Sequence, residues 1–512
     1  LTIHSTQDSQ MQQTVDRITN NPKYYPKNSK YELNYQLTIK KADSSEVSYS
    51  TSDLKKWYEN KRKKAFSYYY SDTKAAHKKI RQYKKAVLKK GDNIVNETIS
   101  LIIQPQVSFV LIDQTSGEVK ALCGGRGEKA ASRTLNRATS TIRQPGSIFT
   151  VPSTYLPALD TAGMTLASVQ DDTPFYYPGT KKLVKNWYGA SYRGLTPLRT
   201  AISDSMNVVA VKTLNDITPK TSYDYLLNLG FTTLVDNYTS STGKTYTDIS
   251  LPLAQGGLTK GVTNLELTSA FATIANQGVY QRPCFYTKVL DHDGNVLLDN
   301  TRTKKKVSVM KDSTSWLLTS AMEDVIAKGT GGQLKFKQSN MPQAGKTGIS
   351  TGRRDLWFVG YTPYLTAGIW GGYDSSRKQS STLYHKNIWR DIMEELNKGM
   401  TPVTFPMPSS ITSAKICTKC GKLAIDDLCE DAIGGSCVKQ EFFARDSIPT
   451  ETCDCHIRCK ICKASGHLAG DGCPATQIYT AVYLQKNESA HTSDSSLVIP
   501  SYLAGSSCEV HN

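Results

Sequence analysis

The sequence predicts an α+β layer fold, an antiparallel sheet with flanking helices, followed by a small Cys-rich C-terminal module. Three observations predict it. Short apolar runs set between turn residues read as strands. Between them lie apolar repeats at helical spacing that stop on Gly. Of twelve Cys, ten lie between Cys417 and Cys508. A chain of 512 residues has material for about three units at roughly 150 residues each. With 38% hydrophobic and 21% charged residues and a net charge of +17, it is globular rather than disordered, with a surface that favours anions. No stretch approaches the roughly 20 apolar residues that span a bilayer. The opening "LTIHSTQDSQMQQ" has neither a Met start nor an apolar signal core, so any signal or anchor is expected upstream.

Residues 1–105 are polar and rich in Tyr and Lys and read as a basic linker or N-terminal segment. Within it, "TKAAHKKIRQYKKAVLKKG" places Ile80, Tyr83 and Val87 at helical spacing and ends on Gly91, a helix with a cationic outer face. Such a face is either simply solvated or in contact with anionic polymer or lipid phosphate. No nucleic-acid-binding motif accompanies the charge. From residue 106, "VSFVLID", the turn "QTSG" and "EVKALCGG" read as a hairpin. "NLELTSAFATIANQG" and "STSWLLTSAMEDVIAKG" read as helices stopping at Gly278 and Gly329. "LWFVGYTPYLTAGIWGGYD" reads as two strands around Thr362-Pro363, and "NIWRDIMEELNKG" as a helix ending before Gly399. The domain spans 106–400, and the Pro/Ser-rich stretch 401–415 reads as a linker.

Three short strings stand in order: "RQPGSIFT" with Ser147, "SMN" at Ser205–Asn207, and "AGKTG" with Lys346, Thr347 and Gly348. Together they resemble the SxxK, SxN and KTG set of penicillin-recognising acyl-serine enzymes. "LTIHSTQDSQMQ", "SRTLNRATSTIRQPGS", "LAQGGLTKGVTNLELTSAFATIANQGVY", "VIAKGTGG" and "AGKTGISTGRRDLWFVGYTPYLTAGIWGGYD" extend the resemblance to class A penicillin-binding proteins over residues 1–400. It implies the penicillin-binding transpeptidase, serine β-lactamase-like, fold, with the family's glycosyltransferase domain outside this chain. The implied reaction is acyl transfer: Ser147 attacks a D-Ala-D-Ala stem peptide and an amine of a neighbouring stem resolves the acyl-enzyme. β-Lactams would acylate the same Ser, and no cofactor is implied. The implied location is the extracytoplasmic face of a bacterial cell membrane.

A Ser at the head of a buried helix can direct its backbone N–H at an oxyanion while its Oγ attacks. Three residues on, the family carries a Lys as base; here the position is Thr150. A neutral hydroxyl cannot take up a proton at pH 7, and losing a positioned base costs on the order of 10²–10⁴ in rate. The strings Ser52–Lys55 and Ser71–Lys74 lie in the polar front segment and read as chance matches. By resemblance, Ser205 relays a proton to the leaving amine and Asn207 holds the substrate peptide group. Lys346 lends positive potential, Thr347 binds the donor carboxylate, and Gly348 gives an open face. A second carboxylate-binding Thr is common next in the family, where this chain has Ile349; the backbone N–H of Ile349 could still serve an oxyanion hole with that of Ser147. The cleft therefore reads either as a slow or altered D,D-transpeptidase, with Lys346 taking the base role, or as a pseudo-transpeptidase that binds peptidoglycan or acts as a scaffold.

The tail, 416–512, is an internal duplication, 416–456 and 461–511: "ICTKCGKLAIDDLC" matches "ICKASGHLAGDGC", and "CDCH" matches "CEVH". Each copy shares three Cys and a His: Cys417, Cys429, Cys453 and His456, then Cys462, Cys473, Cys508 and His511. Three chemistries fit: disulfides, a bound metal, or free thiols in an anaerobic setting. The family works outside the cytoplasm, where Cys usually pair, and disulfides Cys417–Cys429 and Cys462–Cys473 are the preferred reading. Three thiolates and an imidazole would instead complete a tetrahedral zinc site, the closing CxxH giving two ligands in one turn. Cys420, Cys437, Cys455 and Cys459 stand outside the repeat and permit further bonds, and no metal is assigned. His467 reads as a polar loop residue. A unit of about 50 residues rarely folds without such a crosslink, so the tail's role is structural or adhesive.

Overall fold

The computed structural model describes residues 1–512 apart from 128, 130, 131, 302–305, 487–491, 504, 506 and 512. Its organising element is a five-stranded antiparallel sheet of β1 (Gln106–Asp113), β2 (Glu118–Cys123), β3 (Ala344–Ile349), β4 (Asp355–Tyr361) and β5 (Thr366–Gly372), ordered β3-β4-β5-β1-β2. The β1–β2 turn closes because the Asp113 carboxylate accepts the backbone N–H groups of Thr115 and Ser116 at 2.9 and 3.2 Å. Strands β4 and β5 pair from Asp355↔Gly372 to Tyr361↔Thr366 around the expected Thr362-Pro363 turn.

Side chains of the sheet alternate between two cores. Leu356 and Phe358 pack with Ile388, Trp389 and Ile392 on one face, while Trp357, Val359 and Tyr361 join Leu267 and Phe271 on the other. A sheet covered on both faces needs apolar residues at nearly every position, which is why these strands read as continuous apolar runs. The helices that matter to the site are α1 (Leu198–Asp204), α2 (Asn207–Ile217), α3 (Asn264–Ala275), α4 (Asp312–Ala327) and α5 (Tyr384–Leu396). Helix α3 starts in a capping box: Thr263 Oγ1 accepts from the Glu266 N–H at 3.2 Å, and the Glu266 carboxylate accepts from the Thr263 N–H at 3.1 Å.

The front segment differs from a linker. Residues Thr2–Ser5 pair with Tyr286–Leu290, and the helix Ser9–Thr19 lies against β2 and α5. Strand Lys30–Lys40 pairs along its length with Asn93–Gln104, and on its other edge with Glu46–Ser50 and Tyr69–Tyr70. Helix Thr73–Val87 seals this sheet with Ile80 and Tyr83, the residues whose spacing predicts it, around a core of Leu33, Tyr35, Leu37 and Ile39. Polar composition hides this unit because only one face of the sheet is buried.

In the tail, two hairpins repeat the same plan: Ile411–Cys417 with Val438–Ala444, then His456–Cys462 with Ile478–Leu484. The first strand begins inside the stretch 401–415 expected to be linker. The tail is docked on the main domain. Glu441, 1% exposed, takes Arg199 of α1 in a forked ion pair at 2.7–2.9 Å, and Phe442 meets Trp316 of α4 edge-on at 5.0 Å.

Candidate active site

Ser147 sits half-buried in a tight 3-10 turn, Gly146–Phe149, anchored by the fully buried Ile148 and Phe149. The turn presses on the end of β3, and two glycines allow it. A Cβ on Gly146, whose φ is +63°, would lie 2.5 Å from the Ile349 carbonyl oxygen. One on Gly348 would lie 2.7 Å from both Ile148 Cβ and the Pro145 carbonyl oxygen. Gly348 therefore sets the closeness of turn and strand, where the sequence suggested an open face. Ser147 Oγ makes no hydrogen bond to any described residue. Thr150, 2% exposed, lies at the end of the turn, and its Oγ1 donates to the Ser147 carbonyl at 2.8 Å.

Ser205 follows α1 in the left-handed region (φ 56°, ψ 52°), a conformation that non-glycine residues hold only when their surroundings impose it. Lys346, on β3 and fully buried, donates to Ser205 Oγ at 2.7 Å and to the Thr347 carbonyl at 3.2 Å. Among the described residues no carboxylate pairs with it. Burial, and then the nearby Lys386 charge, bring the Lys346 amine down to about 7. Lys386, on α5, is itself lowered by burial to about 8 and reaches the Thr330 carbonyl at 3.4 Å. Thr330 and Thr347 hydroxyls lie 3.0 Å apart. Asn207 opens α2; its Nδ2 donates to the Lys185 carbonyl at 2.8 Å, while its Oδ1 is buried with no partner among the described residues. An orphaned acceptor of this kind suits a ligand N–H. Ile349 is 38% exposed at the strand's end.

The structure thus brings Ser205, Lys346 and Thr347 together and packs the Ser147 turn on the same strand. It places Thr150 with its hydroxyl turned to backbone. Sequence reasoning missed Lys386 and Thr330. Thr330 does stand in the quoted string "VIAKGTGG", whereas Lys386 lies outside any motif, on a helix face it shares with the buried Tyr384, His385, Ile388 and Trp389.

In the tail, none of the ten cysteines is in a disulfide, including the preferred pairs Cys417–Cys429 and Cys462–Cys473. Instead Cys417, Cys429, Cys453 and His456 bring their ligand atoms within 4.8 Å of one another, as do Cys462, Cys473, Cys508 and His511.

Sheet, helices and cleft are those of the penicillin-binding transpeptidase fold. Residues 107–394 match the penicillin-binding protein transpeptidase domain, and the chain belongs to that family. Residues 407–458 match the C-terminal domain of penicillin-binding protein 1A. A penicillin-binding protein 1A of Clostridium botulinum is 33% identical over 422 residues, 78% of this chain and 49% of that protein. The chain spans about half the length of the curated relatives it matches. The crystal structure of penicillin-binding protein 1A from Haemophilus influenzae superposes with a TM-score of 0.60 at 18% identity, covering 88% of this chain and 73% of that one. That of the PonA1 protein from Mycobacterium tuberculosis in complex with penicillin V gives 0.55 at 20% identity, covering 80% and 89%. At these identities the structural likeness speaks to fold alone.

Proposed function

We propose that this chain carries a slow peptidoglycan D,D-transpeptidase site in which the Lys346–Ser205 pair does the proton transfer that Thr150 cannot. The observation that carries the reading is the 2.7 Å contact from a buried, unpaired Lys346 amine to Ser205 Oγ, with the amine brought down to about 7. Near neutral pH such an amine is neutral often enough to act as a base. Ser147 Oγ attacks the penultimate carbonyl of the donor stem peptide; its proton passes to Ser205 Oγ while the Ser205 proton passes to Lys346 Nζ. The reverse transfer protonates the departing D-Ala amine; an acceptor amine then attacks the acyl carbon, giving its proton to the Ser205–Lys346 pair, which returns it to Ser147 Oγ as the ester bond breaks. Thr347 holds the donor carboxylate and Asn207 Oδ1 takes a donor amide N–H. The backbone N–H groups of Ser147 and Ile349 face the oxyanion.

A second reading, a pseudo-transpeptidase that only binds wall peptides, is favoured by one observation: the Thr150 hydroxyl is spent on the Ser147 carbonyl, so among the described residues no group of that turn hydrogen-bonds Ser147 Oγ. Intact-mass analysis after incubation with a fluorescent penicillin separates the two. The working site gives one penicilloyl adduct that is lost in Ser147→Ala and Lys346→Met. An adduct formed only by Thr150→Lys would establish the pseudoenzyme. We place the site on the extracytoplasmic side of a bacterial membrane, where its stem-peptide substrate lies, with the basic front unit against anionic wall polymer or lipid head groups. No helix of the described residues is long and apolar enough to cross a membrane.

A further inference from the structure

The two tail repeats fold alike down to single hydrogen bonds. In the first, the Cys417 N–H donates to the Lys422 carbonyl and the Gly421 N–H to the Cys417 carbonyl, both at 2.8 Å; in the second, Cys462 and Gly466 do the same with His467 and Cys462 at 2.9 and 2.8 Å. The Cys453 N–H donates to the Leu423 carbonyl at 2.8 Å, and the Cys508 N–H to that of Leu468 at 2.7 Å. This correspondence sorts the cysteines. Cys420, Cys437 and Cys455 are matched by Ser465, Gln477 and Val510, Cys459 by Ala414, and His467 by Lys422. Only three Cys and the closing His recur in both copies.

Those recurring groups converge. His456 Nδ1 lies 3.5 Å from Cys417 Sγ and 3.3 Å from Cys453 Sγ; His511 Nδ1 lies 3.3 Å from Cys462 Sγ and 3.5 Å from Cys508 Sγ. With Zn–S near 2.3 Å and Zn–N near 2.0–2.1 Å, a tetrahedron has S···N edges of about 3.6 Å. A disulfide fixes two sulfurs about 2.05 Å apart and has no use for an imidazole between two sulfurs. The Lys419 N–H also points at Cys417 Sγ, 3.4 Å away, the outer contact that orients a metal-bound thiolate.

We infer that each tail repeat binds one structural Zn²⁺ through a Cys₃His set, Cys417/Cys429/Cys453/His456 in the first and Cys462/Cys473/Cys508/His511 in the second. Four protein ligands leave no open position, so the ions staple two small hairpins rather than perform chemistry. Cys420 and Cys455 also approach Cys417 and Cys453 closely enough to form a competing four-sulfur set, but the second repeat has discarded both while keeping the partners of Cys429 and His456.

The test is metal analysis of the full chain, purified without chelator or added metal. Two zinc ions per chain are expected, falling to one in His456→Asn and to one in His511→Asn, and staying at two in Cys420→Ser/Cys455→Ser. X-ray absorption at the zinc edge of the unaltered chain needs no variant and should give three sulfur neighbours and one nitrogen. Less than a fifth of a zinc per chain, with peptide mapping that recovers Cys417 linked to Cys429, would overturn the inference. So would two irons in place of zinc, or loss of an ion in the Cys420/Cys455 variant.

Discussion

An ammonium buried away from carboxylates loses hydration that nothing restores, and the Lys346 amine, on a strand sealed by α4 and the Ser147 turn, is held near 7 for that reason. The sign follows. Below about 7 the amine is protonated and cannot accept a proton; above it, the neutral base prevails. Acylation of Ser147 by penicillin should therefore rise about tenfold per pH unit on the acid side and level off above about 7. Lys386→Met removes a like charge, raises the Lys346 value, and should move that limb to higher pH, as stopped-time adduct counting across a pH series will read. The same depression makes the unfolded chain bind a proton that the folded chain releases between about 7 and 10.5, so stability gains with pH over that window. A flat pH profile would remove Lys346 from the base role. Gly348 offers an independent check at this scale. Gly348→Ala places a methyl 2.7 Å from Ile148 Cβ and the Pro145 oxygen, and should cost about 1–3 kcal/mol in urea unfolding while slowing adduct formation, because the Ser147 turn must back away from β3.

Among elements, the contact between the tail strand Val438–Ala444 and helix α1 is the one to test. Arg199 and Glu441 are 5% and 1% exposed; without Glu441 the buried guanidinium keeps only the Asp324 carboxylate at 3.2 Å, and without Arg199 the buried carboxylate keeps only Lys439 at 3.8 Å. Glu441→Ala removes the forked bonds but not the Asp324 contact, so it should destabilise docking by about 1.5–3 kcal/mol, and limited proteolysis should then cut faster within 401–408. The double variant Arg199→Met/Glu441→Leu, which buries no charge, should recover much of the loss; equal cleavage in all three proteins would mean the ion pair does not hold the tail. This pair was not legible in the sequence, because its members stand 242 positions apart and no local pattern marks them as neighbours. What was legible is local. The Ile80/Tyr83/Val87 stripe, the "QTSG" turn and the Gly278 and Gly329 stops each announce an element through residues a few positions apart. The site divides the same way: Ser147, Ser205 and Lys346 stand in recognisable strings, and Thr330 in the quoted "VIAKGTGG" without a role that string alone discloses, whereas Lys386 enters only through tertiary packing. The front sheet was hidden too, since its exposed face supplies the polar composition that reads as linker.

For the molecule as a whole, charge is unevenly placed. Residues 1–105 hold 20 Lys and Arg against 10 Asp and Glu, so +10 of the total +17 lies in the first fifth of the chain. Much of it is displayed rather than paired: Lys61, Arg62, Lys63 and Lys64 are all exposed where helix Thr51–Arg62 ends, and Lys74, Lys78, Arg81 and Lys85 are exposed along helix Thr73–Val87. Cations at a helix C-terminus also complement the helix dipole, which alone accounts for part of the Lys61–Lys64 cluster. On helix Thr73–Val87 that reason covers only Lys85, in the last turn, and not Lys74, Lys78 or Arg81. If this outer face meets anionic wall polymer or lipid head groups, attraction between exposed charges sets the affinity, and that attraction is screened as the Debye length falls from about 10 Å at 0.1 M salt to about 3 Å at 1 M. Co-sedimentation of the full chain with vesicles containing anionic lipid should then be strong at low salt and lost by 1 M, about the range over which that length collapses. Reversing Lys74, Lys78, Arg81 and Lys85 to Glu should abolish it at any salt, while the penicillin adduct on Ser147 forms at the unaltered rate. Binding that survives 1 M salt, roughly the fully screened limit, or that persists in the charge-reversed chain, would leave this face as a solvated helix surface.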